Sequence, residues 1–125
     1  MQRHYDELAT YQRDGFEVIV DKTWEDLSLD QCFDTSIDPD TGKPYYDVRA
    51  MARQIDRCEL DWFMLRVRVL LDGHEMGSHY LGGCLYEDAR EVLKDGTAED
   101  CIYCALEEAK TEVLRLRNKL ETLVF

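Results

Sequence analysis

Residues 61–86, DWFMLRVRVLLDGHEMGSHYLGGCLY, decide the fold. Alternate side chains in the first half are apolar, which is the two-residue period of a β-strand with one face against a core. Asp72-Gly73 follows, a dipeptide typical of a two-residue type I′ turn, and the second half runs back to Leu85. The stretch therefore predicts a β-hairpin whose first strand directs these side chains to the core: Phe63, Leu65, Val67, Val69 and Leu71.

A two-residue turn also sets the register of the hairpin. Counting back from the turn, we expect Val69 opposite Met76 on the core side. On the other side we expect Arg66 opposite His79. Gly82-Gly83 near the end of the second strand predicts a bulge, or a place where a neighbouring group comes close.

Beyond the hairpin the apolar residues take the period of helices. A short helix is predicted for residues 87–94, and Asp95-Gly96 is expected to end it. The last helix then runs to near the C-terminus, with acidic residues early and basic residues late, as the helix dipole favours. Its buried stripe is predicted to be Ile102, Leu106, Ala109, Val113, Leu116, Leu120 and Leu123.

The N-terminal half has weaker signals. Residues 4–14 have the apolar spacing of a short helix, and Gly15 is placed to end it. Residues 16–20, FEVIV, are typical of a strand. Asp47 is placed to cap a further helix, whose apolar positions are Val48, Met51, Ala52 and Ile55.

Together these elements predict an α+β fold. We expect a three-stranded antiparallel sheet, made of one strand plus the β-hairpin, packed with two to three helices, of which the C-terminal one is long. The length of 125 residues allows one buried core without disulfides. No linker or repeat is visible, so residues 1–125 are predicted to form a single domain.

The charge of the chain limits its partners. It contains 27 Asp and Glu against 15 Lys and Arg, a formal net charge of -12. Such a charge repels nucleic acid and anionic lipid, so we expect no direct nucleic acid binding and no membrane binding. The expected partner is a protein with a basic nucleic-acid-binding surface. The alternative is that the charge serves solubility alone.

The cysteines indicate a reducing compartment. Their number, five, is odd, and the polar N-terminal residues lack the apolar core of a signal peptide, so we expect a cytoplasmic protein with free thiols. Cys101 and Cys104 have zinc-pair spacing, but a structural zinc site uses four ligands. Cys84, His79 and Cys32 are the candidates to complete such a site, and buried thiols without metal are the favoured interpretation.

No catalytic motif is found. The sequence has no Ser or Cys beside a base in a known arrangement and no phosphate-binding glycine loop. The turn 38–42, DPDTG, resembles a calcium loop, but its glycine and the terminal glutamate are not at the required positions. We therefore predict no catalytic residue, no metal, no cofactor and no enzymatic activity.

The segment 21–44 is predicted to be a long acidic loop with one helical turn. Four of its aspartates recur every four residues, a spacing that corresponds to about 6 Å of rise on a helix. A row of carboxylates can imitate the phosphates of a nucleic acid strand, and a solvated loop without a partner is the alternative. The predicted partner-binding residues are Glu25, Asp26, Asp30, Asp34, Asp38 and Asp40.

The outer face of the hairpin offers an alternative interface. Trp62, Arg66, Arg68 and His79 gather aromatic and basic side chains in a protein that is otherwise acidic. Trp and Arg are common anchors of protein interfaces. The competing interpretation is that a helix covers this face and that nearby carboxylates pair with the arginines.

The hairpin also carries a resemblance. Asp61-Trp62-Phe63, Asp72-Gly73, 80–84 (YLGGC) and Tyr86-Glu87 resemble a group of small acidic proteins of phages, prophages and plasmids. The resemblance covers residues 61–120 and implies an origin in a mobile genetic element; it carries no known site residues. Proteins of this kind are often anti-CRISPR or anti-restriction inhibitors, a class-level analogy.

Two functions follow as expectations. The first is an inhibitor, acting in the cytoplasm of a host bacterial cell, that blocks a nucleic-acid-targeting defence complex by binding a Cas or restriction subunit. The second is a homo-oligomeric accessory or regulatory phage protein without catalytic activity, in which the hairpin face or the C-terminal helix forms a homodimer.

Overall fold

The computed structural model describes residues 3–125 and confirms an α+β fold with a long C-terminal helix. Its sheet has four antiparallel strands in the order β1-β2-β3-β4, not the three that we predicted. The strands are β1 (Asp6–Arg13), β2 (Phe16–Trp24), β3 (Asp61–Leu71) and β4 (His74–Tyr86). The helices are α1 (Leu29–Cys32), α2 (Val48–Asp56), a 3-10 helix (Ala89–Leu93) and α3 (Thr97–Glu121).

The hairpin β3–β4 is confirmed. Asp72 and Gly73 have φ angles of 49° and 82°, as a type I′ turn requires. The pairing departs from the predicted register at Met76, where β4 contains one extra residue, so that Val69 lies opposite Gly77. Arg66 consequently pairs with Tyr80, and the expected partner His79 lies on the other face of the sheet, opposite Val67.

The predicted helix at residues 4–14 is wrong. These residues form β1, which pairs with β2 through a second Asp-Gly turn, Asp14-Gly15, whose φ angles of 54° and 86° match those of the first. A bulge at Leu8 interrupts the alternation of the strand. The bulge makes the apolar spacing resemble that of a helix, and for this reason the prediction missed the fourth strand.

α3 lies on one face of the sheet, which we call the covered face. Gly77 of β4 permits the close contact, because a Cβ atom at this position would lie 2.3 Å from the carbonyl oxygen of Ala105. The core forms between sheet and helix. Its largest fully buried side chains are Phe63, Leu65, Val67, Val69, Val18, Val20, Val92 and Ile102.

The shorter helices lie at the end of the sheet where β2 ends and β3 begins. Asp47 caps α2 as predicted, accepting a hydrogen bond from the backbone N–H of Ala50 at 3.1 Å. The short helix predicted for 87–94 is the 3-10 helix. The face of the sheet opposite α3, which we call the open face, carries no long helix. Among residues 3–125, no helix has the length and apolar character needed to cross a membrane.

Candidate partner-binding surface

The acidic segment, residues 25–44, is anchored to the sheet at two points. Glu25 accepts a hydrogen bond from the backbone N–H of Gly83 at 2.7 Å. The indole N–H of Trp62 donates to the carbonyl oxygen of Leu27 at 3.0 Å. The ring of Phe33 packs on Trp62 with 5.9 Å between centroids. These contacts hold the start of the segment against the end of the hairpin.

The second part of the acidic segment is ordered by its own turns. Ile37 and Pro44 form an isolated β-bridge, and the backbone N–H of Asp38 donates to the carbonyl oxygen of Lys43 at 2.7 Å. Tyr46 packs on Phe33 at 5.0 Å and connects this loop to the anchored part. The acidic segment is therefore a defined surface that precedes α2.

The structure places the predicted carboxylates on this surface without forming a helical row. Of the four aspartates spaced by four, only Asp30 lies in α1, which is four residues long. Asp34 accepts hydrogen bonds from the N–H and hydroxyl of Ser36, which hold its pKa below the ordinary value. Asp38 accepts one from the N–H of Asp40 at 2.9 Å. These bonds orient the carboxylates of Asp34 and Asp38.

Most of these carboxylates have no basic partner within the protein. Among residues 3–125, Asp26 alone of the six predicted acids forms an ion pair, with Arg3, and it also accepts from the indole N–H of Trp24 at 2.9 Å. Asp30, Asp34 and Asp40 are exposed. Their negative charge is thus free to act on an external partner.

The four residues of the alternative interface are not brought together. Arg66 forms two hydrogen bonds with Asp21, at 2.8 and 2.6 Å, which raise the pKa of its guanidinium, and Arg68 lies 3.6 Å from the same carboxylate. Trp62 is used to anchor the acidic segment, and His79 lies on the covered face. The arginines are thus paired with a carboxylate, as the competing interpretation expected, although no long helix covers them.

The cysteines are divided between the interior and the surface. Cys84 and Cys101 are buried, while Cys32, Cys58 and Cys104 are exposed. Burial raises the pKa of Cys84 to about 11 and also raises that of Cys101. Within residues 3–125, no three His, Cys, Asp or Glu side chains are grouped so that they could hold a metal ion.

The structure also contains a cleft that sequence reasoning missed. It has a volume of about 650 Å³ and lies between β1, the end of α2, and the residues before the 3-10 helix. Lys22 of the cleft pairs with Asp61. Residues from four separate parts of the chain meet here, so no local pattern could have revealed it. Its remaining acidic side chains are Asp6, Glu7, Glu87 and Asp88, and its apolar ones include Leu8, Ile55, Leu60 and Trp62.

Comparisons with protein-family models, with curated proteins and with solved structures found no match to this chain.

Proposed function

We propose that this protein is an inhibitor that binds a nucleic-acid-targeting defence complex, such as a Cas or restriction subunit, through the acidic segment. The observation that carries the proposal is a set of exposed carboxylates, Asp30, Asp34 and Asp40, without basic partners among residues 3–125, in a chain of net charge -12. A basic groove that holds DNA or RNA is the complementary surface. The origin in a mobile genetic element, which the hairpin resemblance implies, is part of the proposal.

The energetics of the segment support binding rather than folding as the role of these charges. A carboxylate that is already paired within its own protein must lose that partner before it binds another. In the part of the chain that the structure describes, Asp30, Asp34 and Asp40 have no such pair to break. Their turns also hold them in place before binding, so less conformational entropy is lost on association. Complementary charge is expected to speed association and to make it sensitive to salt.

The proposal is tested by reversing the charge of the segment. We expect the triple variant Asp30→Lys, Asp34→Lys and Asp40→Lys to bind its partner at least about tenfold more weakly. The matched control reverses three exposed carboxylates elsewhere, Glu17, Glu59 and Glu121, which changes the net charge equally. Circular dichroism establishes that both variants are folded.

The measurement is a tagged pull-down from bacterial lysates that contain CRISPR and restriction systems, followed by nuclease assays of the recovered complex. Capture of a Cas or restriction subunit that weakens with salt, inhibition of its cleavage, and loss of both only in the segment variant would support the proposal. Equal loss in the control would show that total charge, not the segment, is responsible, and capture of no such subunit would contradict it.

The alternative function, a homo-oligomeric accessory protein, is supported by a separate observation. Apolar side chains remain exposed along the second half of α3 and just after its end, including Leu120 and Leu123. Exposed apolar patches of this kind commonly mark interfaces.

A further inference from the structure

The apolar stripe of α3 continues beyond the part of the helix that the sheet covers. From Ile102 to Leu123 its members are separated alternately by four and three residues, which is the heptad spacing of a helix that packs along another helix. In the first half the stripe is buried against the sheet. Val113 and Leu116 are still partly buried against the core. Beyond them the stripe is uncovered, and Leu120 and Leu123 are 64% and 46% exposed.

The geometry explains why the second half is uncovered. α3 leaves the sheet at the end that carries both Asp-Gly turns, where Lys110 pairs with Asp14 at 2.9 Å. From Lys110 to its end at Glu121 the helix extends about 16 Å beyond this contact, and Leu123 follows two residues after the helix ends. We call residues 113–125 the overhang. Among residues 3–125 no element packs along it after the partly buried Leu116.

The overhang also differs in charge from the rest of the chain. Within the overhang three side chains are basic, Arg115, Arg117 and Lys119, and one is acidic, Glu121, although the whole chain has a net charge of -12. The partner of a basic apolar helix is expected to be acidic with an apolar component. The protein itself carries such a surface.

That surface is a groove beside the start of the overhang, which we call the glutamate groove. It lies between the beginning of β4 and α3, has a volume of about 470 Å³, and contains one apolar side chain, that of Met76. Its acidic residues are Glu75, Glu107, Glu108 and Glu112.

We propose that the overhang pairs with the overhang of a second copy of this chain, with the two helices antiparallel. The orientation follows from the position of the sheet. Because the stripe faces the sheet in the first half of α3 and the partner in the second, the sheet and the partner helix lie on the same side of α3. In a parallel pair both sheets would occupy the space between the helices. In an antiparallel pair they lie at opposite ends.

The antiparallel pair is stabilised by opposite charges as well as by the apolar stripe. It brings the basic overhang of each copy towards the glutamate groove of the other. The arrangement is two-fold symmetric, so both copies make the same contacts and the assembly closes as a dimer. Stable interfaces bury about 1,200–2,000 Å² in total, and an interface of about two helical turns with one groove lies at the low end. We expect a dimer that dissociates at micromolar concentrations.

The stripe is tested by analytical ultracentrifugation of the full chain between 1 and 200 µM. The wild-type chain shifts from monomer to dimer over this range. The double variant Leu120→Glu and Leu123→Glu raises the dissociation constant at least about 100-fold, because apolar contacts are lost in both copies. The control is Leu114→Glu, the same substitution at an exposed leucine outside the stripe, which leaves the dimer intact.

The orientation is tested by a distance between two spin labels. Cys104 is exposed on α3, and replacing the other exposed thiols, Cys32→Ser and Cys58→Ser, leaves it as the labelling site. Electron paramagnetic resonance of the dimer gives about 40 Å for the antiparallel pair and about 20 Å for a parallel one. A distance near 20 Å would overturn the arrangement. A chain that stays monomeric to 200 µM, or a dimer equally disrupted by Leu114→Glu, would overturn the interface, and neither result depends on the inhibitor role.

Discussion

The two faces of the sheet are stabilised in different ways. On the covered face the β3 side chains Phe63, Leu65, Val67 and Val69 pack against α3 and are almost completely buried. On the open face no long helix lies over the sheet, yet Asp21 is only 3% exposed. Neighbouring side chains bury it. Arg66 and Arg68 bind its carboxylate, and the ring of Tyr5 lies 3.4 Å from the guanidinium carbon of Arg66.

The difference shows which charges are available to a partner. Asp21 is buried, and Arg66 and Arg68 already bind its carboxylate. These residues would lose strong hydrogen bonds if they bound an external partner instead. The open face therefore uses its charges for its own stability. The carboxylates of the acidic segment, which have few internal partners, remain available for binding.

The largest expected effect is at the contact between sheet and helix on the covered face. We expect Gly77→Ala to lower the free energy of unfolding by about 3 kcal/mol. The new Cβ atom would lie 2.3 Å from the carbonyl oxygen of Ala105 and 2.8 Å from the backbone nitrogen of Ala109, so α3 must move away from β4. Urea unfolding, followed by circular dichroism, measures the change.

The control for this prediction is Gly82→Ala on the open face. Its Cβ atom would meet the carboxylate end of Glu25 at 2.8 Å, and a flexible side chain can move. We expect a loss of about 1 kcal/mol or less. If the two substitutions destabilise the protein equally, the close packing of α3 on Gly77 is not what distinguishes the faces.

A smaller effect is expected from the ion cluster of the open face. We expect Asp21→Asn to lower the free energy of unfolding by about 2 kcal/mol, because Arg66 and Arg68 lose their charged acceptor while remaining partly buried. The comparison is Arg115→Gln, which breaks an exposed pair with Glu112 and should change stability by about 0.5 kcal/mol or less.

The two ion pairs are also expected to differ in their sensitivity to salt. Adding 0.5 M NaCl should weaken the exposed pair and have little effect on the buried cluster, because buried pairs are screened less. If Asp21→Asn lowers the free energy of unfolding no more than Arg115→Gln does, the open face is not stabilised by its charges.

The fold could be predicted where the signal is local. Asp72-Gly73 between two alternating runs predicts β3–β4, and Asp47 predicts the start of α2. The same dipeptide, Asp14-Gly15, forms the β1–β2 turn. The bulge at Leu8 interrupts the alternating pattern by which β1 could have been recognised. β4 contains one extra residue at Met76, and the alternating pattern of the strand does not predict this bulge.

For the candidate site, only its position along the chain could be predicted from the sequence. The density of aspartates indicates a long acidic segment, since charge is read directly from sequence. Its anchoring depends on Trp62 and on the backbone of Gly83, which lie more than 30 residues further along the chain. The partners of Arg66 and Arg68 are likewise set by the pairing of β2 with β3, which places Asp21 directly opposite Arg66.

The smallest expected effect on stability is at alkaline pH and concerns the covered face. Burial raises the pKa of Cys84 from 9.0 to about 11, so the folded protein holds this proton more tightly than the unfolded chain does. The resulting stabilisation is complete below pH 9 and is lost as the pH rises from 9 to 11. By pH 10 the loss is about 1 kcal/mol.

Urea unfolding under reducing conditions at pH 7 and pH 10 measures this loss. The pKa of the Tyr86 hydroxyl is also raised, by its hydrogen bond to Asp95, and affects stability in the same direction. The informative quantity is therefore the difference in alkaline loss between variants. Cys84→Ala should reduce the alkaline loss by about 1 kcal/mol, and Cys58→Ala, at an exposed thiol, is the comparison. Identical pH dependence in the two variants would mean that water reaches the covered face and that the contrast between the faces is weaker than their packing indicates.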